Sequence, residues 1–125
     1  MFCSAMENTI LDDYVTEMFF EGFKMGQTVM VYFGAPNARE YAPAPHSFIH
    51  VNSFPSVANL ANYLEMVANN PTLFQSYFAW RFNSSIFPTL KFRNHIDRSF
   101  TKFGRQSFVC RACEFVNKAQ KRICS

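Results

Sequence analysis

Over most of its length this chain has little positive charge. Residues 1–90 hold three basic residues, Lys24, Arg39 and Arg81, against seven acidic ones, Glu7, Asp12, Asp13, Glu17, Glu21, Glu40 and Glu65, a net of −4. No recognised nucleic-acid motif offsets that shortage, so nucleic acid is not an expected partner. No apolar run approaches the roughly 20 residues of a membrane span. No basic segment followed by an apolar stretch opens the chain, so no signal peptide is visible. Internal repeats and low-complexity segments are missing too. Among the four cysteines only Cys110 and Cys113 form a CxxC pair. A four-cysteine zinc site using Cys3 and Cys124 would lack the usual second close pair. His46, His50 and His95 are scattered, and each reads as a loop or strand residue, so no metal is expected.

What is present is apolar and aromatic. Hydrophobic residues make up 49% of the 125, and 16 are phenylalanine. That composition excludes a disordered chain and suits one small domain or a piece of one. If it is a piece, Met1 is an arbitrary start. The positive charge gathers at the end: residues 91–125 carry nine basic residues and two acidic ones, a net of +7. Such a tail reads first as a solvated helix face, and otherwise as a surface for phosphates or anionic membranes.

The periodicities predict an α/β chain. Residues 1–6 read as the end of a buried strand. Asp12 or Asp13 is placed to cap the following helix. Val15, Met18, Phe19, Gly22 and Phe23 recur at helical spacing, and Gly26 stops the run. Thr28–Phe33 is a short β-branched and aromatic run, the pattern of a parallel strand covered on both faces. Gly34 breaks it, and a proline-rich loop leads to a second short strand at Phe48–Val51. A helix over 56–69 places Val57, Leu60, Ala61, Leu64 and Val67 on one face. Pro71 opens another, carrying Phe74, Tyr77, Phe78 and Phe82 as core. Residues 83–97 read as irregular, and 105–122 as a last, basic helix. Trp80 and Arg81 read as packing residues. Asn83-Ser84-Ser85 is a glycosylation triplet of a kind common by chance.

The residues able to carry chemistry collect after the first strand. Ligands of open α/β sheets bind beyond the C-terminal ends of the strands. Glu7 and Asn8 fall there, and the next helix points its N-terminus, with free N–H groups and the positive dipole end, at the same place. Tyr14, Glu17 and Met18 stand at i, i+3 and i+4, which on a helix is one face. A nucleotide diphosphate at that corner would meet N–H groups, an amide, a phenol and a carboxylate together.

Five blocks of this region resemble the donor-binding signature of the α1,3-fucosyltransferases. Met6–Asn8 (MEN) is similar to that family's FENS. Asp13–Glu17 (DYVTE) is similar to its DYVTEK, and Val29–Pro36 (VMVYFGAP) to its VPVVxGAP. Arg39–Pro43 (REYAP) and Ser47–Val51 (SFIHV) complete the order. The resemblance implies the Rossmann-like half of a two-domain GT-B glycosyltransferase, a short parallel sheet with flanking helices and a helical C-terminal tail. Residues 1–82 would be the donor domain and residues 83–125 a basic tail with the CxxC. It implies an inverting transfer of L-fucose from GDP-fucose to a glycan or glycoprotein acceptor, with no cofactor, in the Golgi lumen. The N-terminal membrane anchor and the acceptor-binding half with its general base would lie outside this chain. Glu21, Glu40 and Glu65 gain no claim to be that base by being acidic.

By the same resemblance Glu7, Asn8, Tyr14 and Met18 are donor-binding positions. Glu17 is the catalytic carboxylate that faces the fucose and favours its oxocarbenium-like transition state. Cys110 and Cys113 correspond to cysteines that are disulfide-bonded in the family. The chain departs from the pattern at three positions. Met6 and Met30 are packing exchanges. Met18 replaces the lysine that the family places on the donor phosphates, a loss of roughly 1.5–3 kcal/mol of charge-assisted contact. A non-catalytic nucleotide-sugar-binding or interaction module derived from such an enzyme is the alternative reading.

Overall fold

Two glycines and a row of phenylalanines explain how the first helix lies on the sheet. In the computed structural model, which describes residues 1–97, β1 (Phe2–Met6), β2 (Val29–Phe33) and β3 (Ile49–His50) form a parallel sheet in the order β1-β2-β3. Helix α1 (Glu17–Lys24) connects β1 to β2 and buries Phe19, Phe20, Gly22 and Phe23. Phe19 is fully buried. Its ring meets those of Tyr32, Phe23 and Phe48 edge-on at 4.8, 5.1 and 5.2 Å. Such edge-to-face pairs add to an area term of about 1.5–3 kcal/mol for each fully buried large side chain. Gly22 is the contact point: a Cβ there would run into the Met30 sulfur. Gly26 follows the helix with φ +46, the left-handed stop that glycine accepts without strain.

Alternation along β2 sends Val29 and Val31 to the other face. There they join Ile49, Val67 and Tyr77 in a second core cluster. Val67 comes from α2 (Val57–Asn69) and Tyr77 from the end of α3 (Pro71–Ser76). β2 is buried at four of its five positions, as a central parallel strand should be. β1 is one of the two edge strands and buries only Ala5; Met6 is 54% exposed. The expectation of a buried first strand is therefore corrected: β1 lies at an edge, and an open apolar groove runs along Phe2, Cys3, Ser4 and Met6. Ser56 caps α2 through its hydroxyl, and Asn70 caps α3, with Pro71 in the first turn.

Two further boundaries and the burial of one helix face differ from the sequence reading. Tyr77 and Phe78 interrupt the third predicted helix, so α3 is followed by a separate turn of helix, α4 (Ala79–Phe82). Residues 90–97 are helical, α5 (Leu90–Asp97), where an irregular segment was expected. Thr89 explains the start: its hydroxyl accepts the Phe92 N–H at 3.3 Å. Phe92 is buried between Phe23 and Trp80, at 5.7 and 6.1 Å between ring centres. On α2, Val57 and Ala61 are exposed, while Leu60 and Leu64 are half-buried. Leu60 and Leu64 pack against the second core cluster, and with Val57 they also line an apolar groove beside Phe2, Met6 and Val31.

Residues 1–92 form one compact unit. The predicted helix over 105–122 and the Cys110–Cys113 pair lie outside the described residues. Among the described residues no helix is long and apolar enough to cross a membrane.

Candidate functional site

β1 and β2 run level to their ends, Met6 opposite Phe33, and the Glu7 N–H adds one more bond to the Phe33 carbonyl at 2.8 Å. The chain leaves β1 there, loops through residues 8–15 and returns at Thr16 to begin α1. Glu7 is buried, 8% exposed. One carboxylate oxygen accepts the Thr16 N–H at 2.9 Å and the other accepts the Thr16 hydroxyl at 2.7 Å. The Tyr32 hydroxyl donates to the first of these oxygens at 3.4 Å and accepts the Ala35 N–H at 3.1 Å. Burial, with the Glu7 charge beside it, pushes the Tyr32 phenol up to about 12. Gly34 makes room for this arrangement, since a Cβ there would lie 2.5 Å from both the Glu7 side chain and the Tyr32 oxygen. One carboxylate thus joins the end of β1, the start of α1, the middle strand and the turn that leaves it.

Thr16, not Asp12 or Asp13, is the N-cap of α1. Tyr14 therefore precedes the helix and does not share a helical face with Glu17 and Met18, as the i, i+3, i+4 spacing had suggested. The displacement has a local cause. Asp13 sits at φ +62, outside helical backbone, and its side chain is occupied elsewhere. Its carboxylate accepts from the Tyr41 hydroxyl at 2.7 Å, the Asn37 amide at 2.9 Å and the Lys91 ammonium at 3.1 Å. Its N–H donates to the side-chain oxygen Oδ1 of Asn37 at 2.8 Å. The Tyr41 hydroxyl above all, then Asn37 and Lys91, hold the Asp13 carboxyl at about 2. Lys91 also binds Glu40 at 2.6 Å and lies over the Tyr41 ring. Glu40 first, then Asp13, shift the Lys91 ammonium upward.

Two of the first-turn N–H groups are already engaged. The Met18 N–H donates to the Thr16 hydroxyl at 3.4 Å and the Phe19 N–H to the Thr16 carbonyl at 3.2 Å. Glu7 already places a carboxylate at the positive end of the helix. Recognition of an anion there would fall mainly to side chains. Asn8, Tyr14, Glu17 and Met18 are all exposed. Asn8 directly follows Glu7 and Glu17 directly follows Thr16, so the Glu7–Thr16 bonds bring the backbone at those two positions to the same end of the sheet. Tyr14 stands two residues before the cap. Of the five residues assigned by sequence, Glu7 differs from the rest, being engaged in holding the loop.

Sequence reasoning gave no role to Thr16, Tyr32, Asn37, Tyr41 and Lys91. The cap was expected at Asp12 or Asp13, and Thr16 takes it instead. Lys91 is 78 residues from Asp13, and no local pattern joins them. It is the first residue of the basic stretch, and its ammonium reaches the loop, where two carboxylates take it up. His50 is also fully engaged: Nδ1 accepts the Asn52 N–H at 3.1 Å, so Nε2 carries the proton that meets the Ala35 carbonyl at 3.0 Å. Cys3 is a half-buried thiol near the Thr28 hydroxyl. Among the described residues no group of three histidine, cysteine, aspartate or glutamate side chains converges as a metal site.

A polar corner beyond the strand ends of an open parallel sheet is the ligand position of doubly wound α/β proteins. The family model described as glycosyltransferase family 10 (fucosyltransferase), C-terminal part, matches residues 1–125. The chain belongs to that family. It is 41% identical over 80 residues to an alpha-(1,3)-fucosyltransferase C of Drosophila melanogaster, covering 64% of this chain and 18% of that protein. It is 35% identical over 122 residues to a 4-galactosyl-N-acetylglucosaminide 3-alpha-L-fucosyltransferase 9 of Mus musculus, covering 96% of this chain and 30% of that protein. It is 36% identical over 85 residues to a GDP-fucose protein O-fucosyltransferase 3 of Xenopus laevis, covering 68% and 18%. The chain therefore spans less than a third of the length of these relatives.

Proposed function

We propose that this chain is the donor-binding part of an inverting fucosyltransferase of the α1,3 class and holds GDP-fucose at the corner of Asn8, Tyr14 and Glu17. The observation that carries the reading is the Glu7–Thr16 clamp, which ties the end of β1 to the start of α1, next to Asn8 and Glu17 in the chain, in a protein of the fucosyltransferase family. Asn8 and Tyr14 supply an amide and a phenol to the nucleotide sugar. Glu17 opposes the positive charge that grows on the fucose ring as its bond to phosphate breaks. The proton of the acceptor hydroxyl goes to a general base outside these residues. The acceptor is a glycan or glycoprotein, no cofactor is required, and the setting is the Golgi lumen.

The second reading, a nucleotide-sugar-binding module without catalysis, is favoured by the charge at the corner. The segment that forms it carries Glu7, Asp12, Asp13 and Glu17, Met18 contributes no cation, and Lys91 is already bound to Asp13 and Glu40. Calorimetry and ligand-observed NMR with GDP and GDP-fucose test the shared part: weak binding is expected, and none at millimolar GDP would sink both readings. The purified chain should not transfer fucose by itself. Joined to an acceptor-binding half, it separates the two: turnover that falls about a hundredfold in Glu17→Gln, with GDP affinity unchanged, supports catalysis.

A further inference from the structure

Asn83-Ser84-Ser85 is an N-x-S triplet with serine in the middle, and the fold presents it in a defined way. The Asn83 N–H closes α4 on the Ala79 carbonyl at 2.9 Å, and the Ile86 N–H closes a turn on the Asn83 carbonyl at 3.0 Å. Within that turn the Ser85 N–H donates to Asn83 Oδ1 at 2.9 Å. This is an Asx turn superimposed on a backbone turn. It engages the carboxamide oxygen and leaves Asn83 Nδ2 with no hydrogen bond among the described residues. Residues 83–85 are exposed, and Phe82 and Phe87 beside them are 86% and 80% exposed. A large substituent on Nδ2 would displace no packed side chain.

We propose that Asn83 is the attachment site of an N-linked glycan. The donor class is a lipid-pyrophosphate-linked oligosaccharide. Nδ2 bonds to the anomeric carbon of its first sugar, and the bond from that carbon to the pyrophosphate oxygen breaks. The electron pair leaves on the pyrophosphate, and a base of the transferring enzyme takes the Nδ2 proton. The Ser85 hydroxyl is the feature that enzyme reads two residues on. The neighbouring Arg81 donates to the Phe23 and Gly26 carbonyls, at 2.5 and 2.7 Å, at the end of α1 remote from Thr16. The glycan thus leaves the chain two residues after the arginine that grips the end of α1 opposite Thr16, a helix about 12 Å long.

The inference rests on the lumenal setting proposed above, and the experiment separates the two. The chain is directed to the lumen of eukaryotic secretory cells by a cleavable signal peptide. A peptide N-glycanase digest should remove the mass of one oligosaccharide and convert Asn83 to aspartate in the peptide mass spectrum. Ser85→Ala, which retains Asn83, should lose the glycan entirely, and Ser85→Thr should keep it. An unmodified Asn83 in the wild-type chain so directed, or a glycan that survives Ser85→Ala, overturns the proposal. The natural protein purified from its own cells then tests the setting. A bare Asn83 there, beside a glycosylated directed chain, refutes the lumenal reading and leaves the acceptor site standing.

Discussion

Glu7 and Asp13 hold the same loop to the rest of the fold, and they do it in opposite surroundings. Glu7 is buried and answers to three partners, the Thr16 N–H, the Thr16 hydroxyl and the Tyr32 hydroxyl. Asp13 is open to solvent and answers to Asn37, Tyr41 and Lys91. The bond lists look alike on paper. Their energetic weights differ, because water competes for every partner of Asp13 and is excluded from Glu7. Loss of a buried partner leaves the other groups unsatisfied in a low dielectric, whereas loss of an exposed one hands them to solvent. The buried clamp should therefore decide whether α1 starts where it does. The exposed latch should decide how steadily the loop stands once α1 is in place.

The comparison breaks most visibly if the clamp is weak. Glu7→Ala strands the Thr16 and Tyr32 hydroxyls and removes the anion from the start of α1. It should cost about 3 kcal/mol, the scale of hydrogen bonds to a buried charged group. Thr16→Ala removes the cap as well as a clamp bond and should cost about 1–2 kcal/mol; Thr16→Ser should restore most of that. Urea unfolding measures both. If Glu7→Ala costs no more than Asp13→Ala, burial is not what distinguishes the two anchors.

The sheet and α1 were legible because their signals are local. Val29–Phe33 is apolar at every position, Phe19 and Phe23 repeat at helical spacing, and Gly26 takes the positive φ that ends the helix. The helix start was not legible, since Asp12, Asp13 and Thr16 are all competent caps. A carboxylate nine residues back, joined across the loop, decides between them. The helix at Leu90–Asp97 was missed for a related reason: what holds it is Phe92 against Phe23 and Trp80, a tertiary contact with no local trace. Glu7 was singled out from sequence for its place beyond β1. Its second engagement, under Gly34 and against Tyr32, is visible only in three dimensions.

Met18 sharpens the comparison from the ligand side. It is 47% exposed on the first turn of α1, so exchanging it disturbs little packing. Met18→Lys puts a cation beside Glu17 at a corner otherwise dominated by carboxylates. GDP affinity should rise about tenfold, the equivalent of ~1.4 kcal/mol. A lysine in the first turn opposes the helix dipole, which costs a few tenths of a kcal/mol in stability. Titration calorimetry at low and high salt checks it, because the gain should shrink as salt screens the contact. An unchanged affinity at low salt would remove the phosphates from this corner.

The smallest effect belongs to the exposed latch and is best read against pH. Asp13 ordinarily titrates at 3.8 and is held at about 2 in the fold, by Tyr41 first and then by Asn37 and Lys91. A depressed carboxyl stabilises the folded state above its unfolded value, and that contribution disappears as pH falls from near 3.8 toward about 2. Lys91 is shifted the other way, chiefly by Glu40 and then Asp13, from an ordinary 10.5. Its contribution is complete below 10.5 and is lost as pH rises through its higher folded value. The latch should thus be at full strength between about pH 4 and pH 10. Asp13→Asn should flatten the acid limb of a stability profile between pH 4 and 2, and Lys91→Met the alkaline limb above 10. Neither should change stability near neutrality as much as Glu7→Ala does. Amide exchange at Asp13 gives the local readout: Lys91→Met should speed it while exchange along β2 stays as in the wild type. If exchange in β2 rises in step with Asp13, the latch supports the whole sheet and the division between buried clamp and exposed latch fails.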